Sequence, residues 1–66
     1  MVTLVLYVDR VRIKKNVSIR ELAGLAGISK SQIQRIEAGT SNPTLKTMCQ
    51  IAKALEVPVT DLFRYE

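Results

Sequence analysis

The stretch IRELAGLAGISKSQIQRIEA, residues 19–38, decides the fold. Ser18 stands just before it and Glu21 three residues further on. That is the spacing of a capping box, in which the hydroxyl accepts an N3 amide and the carboxylate returns to the cap amide. Leu22, Ala23, Leu25 and Ala26 supply the buried side of the helix so begun, and Gly27 provides a left-handed residue to end it. Ser29 and Gln32 repeat the capping-box spacing two residues later, and the second helix runs to about Ala38, where Gly39 stops it. Ala23 is small where the two helices must cross. Leu22, Ala26, Ile28, Ile33 and Ile36 are apolar at positions that face inward when such a pair packs. Two helices joined by so short a turn form a helix-turn-helix.

The flanks are read outward from this pair. Upstream, Val2, Leu4, Leu6 and Val8 alternate as in a strand, while Leu4, Val8 and Val11 also share a helical stripe. The spacing predicts an extended lead-in and a helix from about Leu6 to Lys15, with Lys14 and Lys15 at the negative end of its dipole. Downstream, Ser41, Asn42 and Pro43 make a turn and Thr44 caps a helix with the apolar face Leu45, Met48, Ile51, Ala52 and Leu55. Pro58 pushes Val57 out of the helical region, and Thr60 is placed to cap a last turn containing Leu62 and Phe63. The expected architecture is all-α: one domain over residues 1–66, a compact bundle of four to five short helices with an extended N-terminal segment.

Size and composition bound the rest. A 66-residue chain that is 47% hydrophobic supports one modest core, and few aromatics (Tyr7, Phe63, Tyr65) make that core aliphatic. One cysteine, Cys49, excludes an internal disulfide and reads as a small core residue. With no histidine and one thiol there are too few ligands for a structural zinc site, so no metal or cofactor is expected. A second subunit is the remaining support for so small a domain, which favours a homodimer. Asp9, Glu21, Glu37, Glu56, Asp61 and Glu66 form no ligand or acid–base cluster, and an enzyme is the weakest reading. No apolar run approaches the roughly 20 residues of a membrane span, and the start MVTLVLYV lacks the basic region and cleavage site of a signal peptide. A cytoplasmic protein without membrane contact is expected. The net charge of +4 suits an anionic partner.

The outward face of the second helix is more specific. Turning about 100° per residue from Lys30 places Gln34 near 40°, Ser31 near 100° and Arg35 near 140°, while Ile36 and Ile33 lie near 240° and 300°. One side is therefore basic and amide-bearing and the other apolar. Arg and Lys donate to guanine, Gln pairs bidentately with adenine, and Ser adapts to either. A solvated helix surface also prefers these residue types. Their place on the second helix of a helix-turn-helix favours base reading.

On these residues, and on VSIRELAGLAGISKSQIQRIEAGTSNPTLKTMCQIAKALEVPVTDLF as a whole, the sequence resembles the Cro and phage-repressor type of helix-turn-helix regulator, the XRE-like family. The likeness covers about Val8 to Phe63. It implies a lambda-repressor-like five-helix bundle that binds a pseudo-palindromic double-stranded operator as a homodimer. By position it implies base reading by Lys30, Ser31 and Arg35, with Gln34 a weaker match. Ser29, Thr40, Ser41 and Asn42 match positions that touch phosphate. Arg12 and Glu37 match a salt-bridged pair that fixes the recognition helix. Where the family often has a phosphate-binding Gln, this chain has Ile19, and the neighbouring Arg20 is left to substitute electrostatically.

The expected function is transcriptional regulation, by a repressor that occludes its operator. The alternative is a protein-binding module on the same fold, such as an antitoxin that covers a toxin. The dimer surface is expected at Leu62, Phe63 and Tyr65. The other option is the apolar start, Val2 to Tyr7, packing on the bundle or pairing with its own copy as an edge strand.

Overall fold

The computed structural model describes residues 1–66. Its elements run β1 (Leu4–Leu6), α1 (Val8–Lys14), α2 (Ile19–Ala26), α3 (Lys30–Glu37), α4 (Leu45–Leu55), a single 3-10 turn (Val59–Asp61) and β2 (Phe63–Tyr65). The starts of three helices are set by hydroxyls. Ser18 accepts the Glu21 amide at 3.0 Å, and the Glu21 carboxylate accepts the Ser18 amide at 3.2 Å, closing the capping box of α2. Ser29 accepts from the Gln32 amide and Thr44 from the Thr47 amide, each at 3.1 Å. The second box is thus only half formed, because the Gln32 side chain makes no return bond to the cap of α3.

All four α-helices end in the same way. One or two residues past each end the backbone enters the left-handed region: Asn16 at φ 58°, Gly27 at 71°, Gly39 at 76° and Glu56 at 58°. From the residue after it, an amide reaches back to the carbonyl five positions earlier: Val17 to Arg12, Ile28 to Ala23, Thr40 to Arg35 and Val57 to Ala52, at 3.0–3.2 Å. These are Schellman closures. At three of them the sequence supplies Gly or Asn, as the conformation favours. Glu56 is the exception, since its Cβ crowds the backbone at positive φ. Glu56→Gly is expected to stabilise the fold by about 0.5–1 kcal/mol, the strain relieved being partly offset by the greater freedom of glycine in the unfolded chain. Chemical denaturation checks this through a higher midpoint at unchanged slope.

The core joins Val8 of α1, Leu22 and Ala26 of α2, Ile33 and Ile36 of α3, and Met48, Ile51, Ala52 and Leu55 of α4 to Leu62 beyond the 3-10 turn. Two apolar residues expected inside are outside: Leu25 and Leu45 keep 65% and 69% of their surface. Cys49, read as core, is exposed on α4.

The main correction concerns the two ends of the chain, because the fold is not purely all-α. The lead-in packs on the bundle through Leu6 and finds its strand partner within its own chain. It forms β1 antiparallel to β2, with Leu4 opposite Tyr65, Val5 opposite Arg64 and Leu6 opposite Phe63. The ladder extends at both ends through Thr3–Glu66 and Tyr7–Leu62 hydrogen bonds. Consequently α1 starts at Val8 and not at Leu6, and Phe63 belongs to a strand and not to a last helical turn. The 3-10 turn opens at Pro58 without a side-chain cap, so Thr60 caps nothing. Leu62, expected at a dimer surface, has no exposed surface and is core. No helix is long and apolar enough to cross a membrane.

Candidate nucleic-acid interface

The α2–α3 pair is locked from inside and open on one side. Gly27, Ile28 and Ser29 join the helices, with Ile28 half-buried and Ser29 turned to solvent as the cap of α3. Ile33 and Ile36 are buried beneath α3, and Lys30, Ser31, Gln34 and Arg35 are all exposed on its opposite side. The four base-reading candidates are therefore together on one surface, as the 3.6-residue period requires. Arg20, in the first turn of α2, is exposed as well. Ile19 beside it is half-buried and packs against the core, so its departure from a polar residue adds packing in place of a polar contact.

The loop after α3 holds the remaining candidates. Asn42 is exposed and Ser41 half-buried. The Thr40 hydroxyl donates to the Arg35 carbonyl at 3.2 Å, alongside the Thr40 amide at 3.1 Å. That bond helps to close α3, and the exposed hydroxyl is free to rotate away from it. Nothing in the sequence pattern signals that engagement.

Arg12 ties this surface to the rest of the molecule. Its Nε donates to Glu37 Oε2 at 2.8 Å and its Nη2 to Glu37 Oε1 at 3.1 Å, a two-pronged pairing of guanidinium and carboxylate. The third nitrogen, Nη1, donates to the Val17 carbonyl at 2.9 Å. One side chain thus joins α1, the α1–α2 connection and the end of α3. Both partners are largely buried, with side chains 14% and 12% exposed. The hydrogen bonds of Arg12 to Glu37 hold the guanidinium protonated beyond its ordinary range, against the opposing effect of burial. Glu37 is the only acid on α3, and pairing with Arg12 keeps its charge from opposing an anion at the outer face. Arg12→Ala would leave that carboxylate largely buried and unpaired, at an expected cost of about 3 kcal/mol. A double-mutant cycle with Glu37→Ala checks it: the second change should add little to the first.

The helix-turn-helix family model matches residues 8–62. The HTH-type transcriptional regulator SlrR of Bacillus subtilis is 39% identical over 56 residues, covering 83% of this chain and 37% of SlrR. The chain therefore spans little more than a third of that relative's length. The uncharacterised HTH-type transcriptional regulator MJ0272 of Methanocaldococcus jannaschii is 39% identical over 51 residues, 77% of each protein. Among solved structures, the restriction-modification controller protein C.AhdI of Aeromonas hydrophila superposes with a TM-score of 0.79 at 28% identity, over 82% of each chain.

Proposed function

The chain belongs to the helix-turn-helix family, and from that premise we propose that it is a non-enzymatic, sequence-specific double-stranded DNA-binding regulator that works as a homodimer. The observation that carries the reading is the exposed side of α3, where Lys30, Ser31, Gln34 and Arg35 converge over a helix anchored by Ile33, Ile36 and the Arg12–Glu37 pair. An α-helix fits the major groove of B-form DNA, and these side chains are suited to base edges there. The α3 cap residue Ser29, Asn42 and Ser41 in the following loop, and Arg20 flank that helix and serve the phosphates, Arg20 by charge. One such unit reads too few base pairs for selectivity in a genome. Two copies about a two-fold axis place their recognition helices about 34 Å apart on a pseudo-palindrome. Repression by occupancy follows as the mode of action, since it requires only that the docked dimer exclude other proteins from its site. The exposed free thiol of Cys49 suits the reducing cytoplasm.

Arg35→Ala and Lys30→Ala are each expected to cost about 1–3 kcal/mol at the preferred sequence and to relax preference at the contacted position. Lys46→Ala and Lys53→Ala, exposed on α4, should leave sequence preference intact. Competition binding with specific and random duplexes tests this. If all four variants lose specific and random binding equally, α3 is not the reading helix.

A further inference from the structure

We propose that the bases taken by α3 are two guanines in each half-site, one on each strand, bound through Lys30 and Arg35. The proposal rests on the base-reading role of α3 given above and names the bases. The four exposed residues of α3 centre near 70° on its wheel, so Lys30 and Arg35 lean about 70° to opposite sides of that centre. Ser31 and Gln34 lie between them. With the centre turned to the floor of the major groove, Lys30 leans to one wall and Arg35 to the other. Each wall is one strand. Along the helix axis the two cations are five residues apart, a rise of about 7.5 Å, or about two base-pair steps.

The atoms that these side chains offer decide which bases they take. Lys30 and Arg35 are pure donors, an ammonium and a guanidinium. The ion pairs of this chain are Arg12–Glu37 and Arg64–Glu66, so neither cation is engaged within the protein. On the major-groove edge, guanine presents two acceptors, N7 and O6. Adenine sets its amino group beside a single acceptor, and thymine offers O4 alone. Cytosine presents an amino donor and needs an acceptor from the protein. The acids of the helix-turn-helix are both engaged: Glu37 holds Arg12, and the Glu21 carboxylate accepts from the Ser18 amide. The outer side of α3 thus carries cationic donors at both margins and no carboxylate, which favours guanine at both walls of the groove.

Base analogues test this directly. The preferred duplex is recovered by the full chain from random-sequence DNA and resynthesised with one guanine at a time replaced. 7-Deazaguanine lacks the N7 acceptor, whereas inosine keeps N7 and O6 and lacks only the amino group in the minor groove. At two guanines per half-site, on opposite strands and within about three base-pair steps, 7-deazaguanine is expected to weaken binding about tenfold and inosine to leave it unchanged. Arg35→Ala should abolish the effect at one of these guanines and Lys30→Ala at the other. A general loss of affinity or of folding would not produce that pairing. A preferred duplex that tolerates 7-deazaguanine at every position, or is sensitive on one strand alone, overturns the proposal and leaves sequence-specific binding standing. Failure of the underlying reading looks different: no duplex is bound at low salt, or the bound duplexes share no sequence, and the proposal falls with it.

Discussion

Ile33→Ala should remove a large part of the stability of this protein and, with it, the seat of α3. Ile33 has no exposed surface and lies under the helix that carries Lys30, Ser31, Gln34 and Arg35. Truncating a buried isoleucine costs about 2–5 kcal/mol, the transfer of the lost methyl groups adding to the cavity left behind. A domain of this length has only about 3–10 kcal/mol in total. The neighbouring Gln34→Ala removes more polar function but no packing, and its expected effect on stability is within about 0.5 kcal/mol. Urea denaturation of the two variants separates the inner from the outer side of α3. Similar losses in both would mean that the helix does not sit as described.

The second large effect is on affinity. Lys30, Arg35 and Arg20 are exposed in each copy, and Glu37 is already paired with Arg12. A dimer that brings these six cations into the field of the duplex phosphates, Arg20 at the backbone and Lys30 and Arg35 in the groove, should show a slope of up to about −5 in log K against log salt, a loss of about a thousandfold between 50 and 200 mM. Anisotropy titrations of a labelled duplex across that range measure it. Arg20→Ala, at the cation assigned to the backbone, should lower the slope by about one per copy. A slope near zero would remove electrostatic docking from the mechanism.

The sequence made the helix-turn-helix legible because its signals are local. Ser18–Glu21, Gly27, Ser29 and Gly39 each act on residues within a turn of themselves, and the two isoleucines of α3 fix which side is buried. The exposed side of α3 follows from the same period. The end of the fourth helix was marked only by Pro58, because Glu56 takes the left-handed position without the Gly or Asn that marks it elsewhere. β2 was hidden outright. Phe63–Tyr65 is three residues long and becomes a strand only because Leu4–Leu6, at the other end of the chain, lies beside it. The alternation of the first strand was visible, but no local pattern names a partner so distant. Leu25 and Leu45 show the opposite error: apolar residues at helical spacing that fall just outside the contact the fold makes. The Arg12–Glu37 link came from family likeness and not from spacing, and its added bond to the Val17 carbonyl is visible only in three dimensions.

Selection of bound sequences from random duplex DNA is the most direct test of the claim that paired α3 helices read the major groove. The expected result is a pseudo-palindrome whose half-site centres are about 10 base pairs apart, and which loses definition at one position per half-site when Arg35 is alanine. Recovery of no preferred sequence, or of the same motif from wild type and Arg35→Ala, would contradict it.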